Sequence, residues 1–141
     1  MKLLIFDTET TGLPTKRSAP LHDSNAWPHV IQLSYVLYDE SQGMMLRTVD
    51  EILKLPEGMR VPEDSTKIHG ITTSQMLRRG VNPEYALKGL INSIQECDYL
   101  VAHNLRFDQS VLMAEAFRQG IAKQLRSALC SKRSYCTMRN G

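Results

Sequence analysis

The feature that most constrains the fold of this chain is the stretch LLIFDTETTGL at residues 3 to 13. Its leading run of apolar residues is typical of a strand covered on both faces, and the Thr-Thr-Gly after it predicts a turn. Side chains alternate along a strand, so Asp7 and Glu9 are expected on one face at the C-terminal edge. Two like charges so close repel each other, and we therefore expect a divalent cation beside them.

Length and charge favour one domain with two electrostatic regions. A chain of 141 residues suits a single domain with its own core. The net charge of +2 conceals a split, because residues 118 to 141 contain six basic and no acidic residues. The acidic body favours cations, whereas the basic end is either a phosphate contact or an ordinary solvated surface.

The cysteines and the apolar runs predict where in the cell the protein is located. Cys97, Cys130 and Cys136 are odd in number and lack paired metal-ligand spacing, so they indicate neither a disulfide framework nor a zinc site. The N-terminal apolar run ends at Asp7, which is too short for a secretory core, and no apolar span has membrane length. We expect a soluble cytoplasmic protein with no cleaved leader and no membrane partner.

The remaining patterns predict a mixed α/β fold. An exposed loop with three prolines at 14–28 precedes an antiparallel hairpin at 29–55. Thr72 or Thr73 is expected to cap a short helix ending at Gly80, and Asn82 a helix at 82–96. A buried strand at 97–103, a helix from about 107 to 119 and a strand at 134–138 follow. The predicted sheet has three antiparallel strands and then parallel ones, flanked by helices.

A second acidic motif follows the predicted strand in VAHNLRFDQSVL, residues 101 to 112. Asp108 lies in the first turn of the next helix, where the helix dipole alone also favours a carboxylate. If the strand ending at Ala102 lies beside the one ending at Phe6, three carboxylates converge at one rim of the sheet. Such an arrangement is typical of oxygen-rich sites for magnesium or manganese.

Three ordered motifs carry a family resemblance. They are FDTETTG, IHGIT at 68–72 and HNLRFD at 103–108. In this order they resemble the DEDD 3′→5′ exonucleases of the proofreading epsilon-subunit (DnaQ-like) type, which have a ribonuclease H-like fold. The similarity covers roughly residues 2 to 138, nearly the whole chain.

The resemblance implies a catalytic centre with two divalent cations, Mg²⁺ or Mn²⁺, about 3.5 to 4 Å apart. Asp7 would bridge the ions, Glu9 would bind the ion that holds the nucleophilic water, and Asp108 would help to hold the other. For His69 the alternative is an ordinary turn residue, which is common for a lone histidine in a proline-rich segment. Phe107 is either a core aromatic or a wedge against the substrate. The implied substrate-binding residues are Thr10, Thr11, Asp64, His69 and Phe107. We assign His103 to hydrogen bonding at a strand end.

One motif of the family is missing. Its third motif supplies a His or Tyr general base followed by a fourth metal-binding Asp, but here no acidic residue follows Glu115, and Asn140 follows Tyr135. We therefore interpret residues 1–141 as a single exonuclease domain that lacks its C-terminal helices and third motif, which would lie past Gly141. The isolated chain is expected to be weakly active or inactive.

The resulting hypothesis is a metal-dependent 3′→5′ exonuclease of the proofreading or repair type, acting on single-stranded DNA 3′ ends. The alternative is a non-catalytic module that binds a 3′ end or a DNA polymerase. A third option is an RNA-directed exonuclease of the same superfamily, because strand ends are recognised by shape, stacking and backbone contacts that both nucleic acids share.

Overall fold

The computed structural model describes residues 1–140, with side chains through Met138. Within these residues the strands are β1 (Lys2–Thr10), β2 (Val30–Asp39), β3 (Met44–Ile52), β4 (Tyr99–Ala102) and β5 (Arg133–Cys136). The helices are α1 (Glu63–His69), α2 (Thr73–Arg79), α3 (Pro83–Glu96), α4 (Leu105–Gln119), α5 (Ala122–Cys130) and α6 (Thr137–Asn140). Among the described helices, none combines the length and apolarity needed to cross a membrane.

The five strands form one mixed sheet with β1 at its centre, in the order β3-β2-β1-β4-β5. β1 pairs antiparallel with β2 and parallel with β4, and β5 lies parallel on the far side of β4. Parallel neighbours need a long crossover, which α3 supplies before β4 and which α4 and α5 supply before β5. The predicted α/β fold with three antiparallel strands followed by parallel ones is confirmed.

The core lies between one face of this sheet and helices α3, α4 and α5. Leu4 and Phe6 of β1 and Leu33 of β2 are nearly inaccessible on that face. Burial of each such side chain contributes about 1.5–3 kcal/mol, so this layer carries much of the stability. Asn82 accepts hydrogen bonds from the first-turn amides of α3, as expected for its predicted cap.

The opposite face of β1 differs from the sequence-based expectation. The strand was expected to be covered on both sides, but Ile5 is 43% exposed, so this prediction is wrong. The four apolar residues resembled a doubly buried run, whereas the described helices cover mainly the other face. Pairing with β2 also carries β1 beyond Phe6 to Thr10, with a register shift between Glu9 and Thr10. Such irregularities re-aim side chains at the end of a strand.

Some helices were predicted and others were missed. The helix ending at Gly80 is confirmed, with Thr72 and Gln75 forming its capping box. By contrast, α1 begins after Pro62 without a side-chain cap, and α5 follows Ile121 without one. The missed helices therefore lack the start signal that sequence reasoning depends on.

An ion pair inside the fold holds the loop between β1 and β2. Glu115 of α4 is 2% exposed and accepts a 3.1 Å hydrogen bond from Arg118. Arg118 also donates to the Ser24 carbonyl at 2.9 Å and the Pro28 carbonyl at 3.2 Å, and the Val30 amide donates to Glu115. The exposed loop at 14–28 is therefore fixed to α4 by hydrogen bonds from Arg118.

We predict that Glu115→Gln destabilises the chain by about 3 kcal/mol, because it leaves the Arg118 guanidinium buried without its anion. Although burial opposes ionisation, the His29 ring, Arg118 and the Val30 amide hold the pKa of Glu115 below its ordinary value. The stability from this ionised group is therefore present above the unfolded pKa and is lost as the pH falls through the folded one. Urea unfolding from about pH 6 to pH 3 measures both effects. Equal acid sensitivity in wild type and variant would contradict this account.

Candidate functional site

Two acidic side chains mark the C-terminal end of β1. Asp7 and Glu9 alternate with the buried Thr8, so they lie on the more exposed face of the sheet. Partial burial raises the pKa of Glu9, and the negative charge of Asp7 raises it further. The strand end therefore concentrates negative charge that a cation would relieve.

Asp108 approaches the same strand end from α4. It lies in the first turn of that helix, is 3% exposed, and accepts a 2.6 Å hydrogen bond from the Thr8 hydroxyl. Burial raises the pKa of Asp108 to about 6; the Thr8 hydrogen bond opposes this change, and the charges of Asp7 and Glu9 add to it. Asp108 is thus within electrostatic reach of both other carboxylates.

The topology explains why Asp108 lies beside the strand that carries Asp7 and Glu9. β4 pairs with β1 in parallel, with Val101 opposite Ile5, so α4 begins beside the end of β1. Among the described residues, no group of three His, Cys, Asp or Glu side chains is close enough to hold a metal ion. Thr8 belongs to the inner face of β1, so Asp108 and the Asp7–Glu9 pair reach the strand end from different sides. Their role as metal ligands stays a prediction.

The chemistry of the three carboxylates nevertheless suits a hard divalent cation. In the part of the chain that the structure describes, Asp7, Glu9 and Asp108 form no ion pair with Lys, Arg or His. Carboxylate oxygens are the ligands that Mg²⁺ and Mn²⁺ prefer. Burial, and then the neighbouring carboxylates, raise the pKa values of Glu9 and Asp108, so a nearby cation would favour the ionised form of both groups. The residues present therefore fit the cofactor that the motifs imply.

Hydrogen bonds fix the backbone at Thr10 and Thr11, where the chain leaves β1; we call this segment the β1 exit. The Thr10 hydroxyl donates to the Gly12 carbonyl at 2.7 Å. The Thr11 amide donates to the His29 carbonyl at 2.9 Å, and the Thr11 carbonyl accepts from the Ser65 hydroxyl at 2.7 Å. The last contact fixes α1 against this turn, so both threonines lie between the carboxylates and α1.

His69 ends α1 and turns back toward β1. Its Nδ1 accepts a 3.1 Å hydrogen bond from the Ile71 amide, a geometry that the positive φ of 79° at Gly70 permits. Burial lowers the pKa of His69, although the backbone of Thr10 has the opposite effect. The neutral ring therefore carries its proton on Nε2, a buried atom that points toward the Thr10 backbone without a well-formed hydrogen bond among the described residues.

The other two predicted substrate residues lie in different surroundings. The Asp64 side chain is 98% exposed in the first turn of α1, with Lys67 at 3.9 Å. Phe107 packs against the main core with part of its surface and lines a pocket of about 340 Å³ with the rest. The substrate-binding roles of both residues stay predictions.

Sequence reasoning overlooked Thr8 and two apolar residues. Leu13 and Ile68 are 81% and 84% exposed, beside the β1 exit and beside His69 respectively. A threonine in a strand and a lone apolar residue in a loop give no distinctive sequence signal. The structural assignment of His103 is confirmed, because its Nδ1 lies 2.9 Å from the Thr137 hydroxyl and its carbonyl accepts from the Met138 amide.

Comparison with known proteins identifies the family to which this chain belongs. The family model that matches this chain, RNase_T, is described as Exonuclease and covers residues 4–136. A relative named Ribonuclease T from Haemophilus influenzae (strain ATCC 51907 / DSM 11121 / KW20 / Rd) is 28% identical over 128 residues. That alignment covers 85% of this chain and 53% of the relative, so the chain spans about half the length of the curated relatives it matches. The resemblance to DEDD exonucleases is confirmed.

Solved structures agree on the fold. A product-bound structure of exonuclease I superposes with a TM-score of 0.77 at 14% identity, covering 99% of this chain and 30% of that one. The zinc-bound complex of Escherichia coli exonuclease I with single-stranded DNA gives a TM-score of 0.75 at 16% identity, covering 96% of this chain and 27% of that one. At these identities the likeness concerns the fold alone.

We predict that Asp108→Asn stabilises the chain at pH 7 in EDTA, by on the order of 2 kcal/mol. The folded-state pKa of Asp108, about 6, exceeds its ordinary value, so between about pH 4 and pH 6 the folded wild type holds a proton that the unfolded chain has released, and at pH 7 its ionised form is left buried. Its stability therefore falls as the pH rises from about 4 to about 6. Asparagine stays neutral and still accepts from Thr8, so that slope should flatten in urea unfolding at several pH values. A variant less stable than wild type at pH 7 would contradict this prediction.

Proposed function

Since this chain belongs to the RNase_T family of exonucleases, we propose that it is a metal-dependent 3′→5′ exonuclease that removes nucleotides from single-stranded DNA ends. A proofreading or repair role, with a DNA polymerase as partner, is the finer form of this proposal. It is supported by the epsilon-like order of the motifs FDTETTG, IHGIT and HNLRFD.

The observation that carries the proposal is the hydrogen bond that holds Asp108 against the strand carrying Asp7 and Glu9. Asp108 belongs to a motif about 100 residues later in the chain, yet a 2.6 Å hydrogen bond joins it to Thr8, between the two acids of the first motif. A polar strand end without catalytic use would not need this long-range contact, which keeps a carboxylate in a buried position that raises its pKa. Acids whose pKa values are shifted by burial and by neighbouring charges are typical of functional sites.

Asp7, Glu9 and Asp108 would hold the divalent cations. When bound, such ions activate a water for attack on the scissile phosphate and stabilise the leaving 3′ oxygen. The protein positions the donor oxygens: β1 fixes Asp7 and Glu9, and the Thr8 hydroxyl fixes one oxygen of Asp108. The zinc-bound form of the Escherichia coli exonuclease I complex with single-stranded DNA, which shares this fold, supports the proposal of a metal site.

The terminal nucleotide would rest on Leu13 and Ile68. Both side chains are largely exposed, and both belong to segments that bracket the β1 exit, since Ser65 of α1 holds the Thr11 carbonyl. Large apolar side chains in such positions offer a face for a base. The neutral His69 ring, turned toward the Thr10 backbone, would keep the Ile68 segment at the correct distance from the carboxylates.

The direct test follows shortening of a 5′-labelled single-stranded deoxyoligonucleotide in Mg²⁺ by gel electrophoresis. We expect a ladder that shortens one nucleotide at a time from the 3′ end, abolished by Asp7→Ala. Turnover should be slow, because no His or Tyr followed by Asp occurs after Glu115, and a general base contributes about 10²–10⁴-fold.

Each other outcome has a distinct meaning. Release from the 5′ end, or shortening unaffected by Asp7→Ala, would contradict the proposed exonuclease. Metal-dependent binding without any shortening would favour the non-catalytic 3′-end module. Rapid turnover that Asp7→Ala abolishes would contradict only the expectation that residues 1–141 are weakly active.

An RNA-directed exonuclease is the second candidate. It is supported by the relative named Ribonuclease T, which is 28% identical over 128 residues. The same assay with an RNA of identical sequence separates the two, because both polymers share the phosphates that the carboxylates and cations would engage. Faster shortening of DNA favours the proposal, and faster shortening of RNA favours the second candidate.

We predict that Ile68→Ser weakens binding of a trinucleotide about fivefold, because the lost apolar contact with the terminal base amounts to about 1 kcal/mol. Leu77→Ser is the matched control, since Leu77 is also exposed (58%) but lies on α2. Fluorescence competition with Ca²⁺ in place of Mg²⁺ measures affinity without cleavage. Equal effects of the two substitutions would exclude a specific base contact at Ile68.

A further inference from the structure

A groove made of two neighbouring pockets runs along the exposed side of α4, the helix whose first turn carries Asp108. Its first part, a pocket of about 340 Å³, is lined by Asn104 and Phe107 among others. Its second part, about 370 Å³, reaches α5 at Arg126. The two parts share Arg106 and Ser110, so they adjoin each other, and we call them together the α4 groove.

The groove is cationic throughout. Arg17 and Arg106 line its first part, and Arg106 and Arg126 line its second, all three with exposed side chains. No acidic residue occurs among the described residues that line either part. Across residues 1–138, the side chains of these three arginines take part in no ion pair and no hydrogen bond. Their charges are therefore available to an anionic ligand.

The groove has built walls. Trp27, which is 6% exposed, donates from its indole to the carbonyls of Ala19 and Pro20 at 3.2 and 3.1 Å, and so shapes the loop that carries Arg17. On the far side, the Arg126 guanidinium lies 5.6 Å from the centre of the Phe117 ring. The loop that carries Arg17 and the Arg126 side chain are thus each held in place by contacts with an aromatic side chain.

We propose that the α4 groove holds the single strand on the 5′ side of the scissile phosphate, with Arg17, Arg106 and Arg126 contacting successive backbone phosphates. This inference rests on the proposed function, because it takes the 3′ end to lie at Asp7, Glu9 and Asp108. Unpaired arginines beside an aromatic ring, here Phe107, match the chemistry of single-strand binding, in which phosphates and base faces are engaged together.

The position of the groove gives the direction of the strand. The first part of the groove is lined by Asn104 and Phe107 at the start of α4, the same turn of helix that carries Asp108, whereas Arg126 lies at the opposite end. From Asn104 to Met113 the groove follows α4 for roughly 14 Å at 1.5 Å per residue. A short oligonucleotide at the carboxylates would not reach Arg126, whereas a longer one would.

The experiment compares two oligonucleotide lengths. Fluorescence anisotropy of a 5′-labelled deoxythymidine dodecamer, with Ca²⁺ replacing Mg²⁺, gives the affinity for a long strand, and competition by an unlabelled trinucleotide gives that for a short one. Arg126→Gln should weaken dodecamer binding about fivefold at 0.1 M salt and reduce the log–log salt slope by about 0.7, while trinucleotide affinity is unchanged.

The matched control is Lys123→Gln. Lys123 is an exposed cation of the same helix that lines neither part of the groove, so its replacement changes the net charge equally. Thermal unfolding by circular dichroism establishes that both variants fold as the wild type does. Arg106→Gln, at the shared part of the groove, should weaken dodecamer binding as well.

Several results would overturn the inference. If Arg126→Gln and Lys123→Gln bind the dodecamer equally well, Arg126 does not contact the strand. The same conclusion follows if Arg126→Gln loses as much affinity for the trinucleotide as for the dodecamer. A polyglutamate peptide that competes as well as an unlabelled dodecamer would indicate an acidic protein partner instead. If the wild type binds neither oligonucleotide, the proposed function is wrong, and so is the inference that the α4 groove holds the single strand.

Discussion

The hydrogen bond from Thr8 to Asp108 is the contact on which the candidate site depends. It joins the central strand to the first turn of α4 across 100 residues of sequence and lies on the buried side of β1. Without it, a carboxylate that is 3% exposed would have neither solvent nor a donor to stabilise its charge. The fold retains an acid in a position that costs stability at neutral pH, which is understandable if the charge is needed for a cation.

Helix α4 links the chemistry to the surface that surrounds it. Asp108 and Glu115 lie two turns apart and are both buried, so they project from the same side of the helix. One faces Thr8, and the other holds Arg118 against the loop that follows the first motif. A shift of α4 would therefore move the third carboxylate and the wall of the α4 groove together.

The sequence predicted the parts of this arrangement that have local signals. The hairpin, the Asn82 cap, the glycine that ends α4 and the two acidic motifs all follow from spacing and residue type. Residues that act through distant partners could not be predicted: Thr8 is an ordinary strand residue, and Arg118 appeared only as one of several cations near the C-terminus. The exposure of Ile5 was missed because a run of apolar residues does not tell how many faces of a sheet are covered.

The central claim is that Asp7, Glu9 and Asp108 act together on a divalent cation. Titration of the chain with Mn²⁺, followed by electron paramagnetic resonance, tests this claim without a substrate. We expect a bound Mn²⁺ signal in the wild type that is strongly reduced in both Asp7→Asn and Asp108→Asn, with Asp64→Asn as a control that leaves it intact. Binding that survives both substitutions, or none in the wild type, would contradict the account.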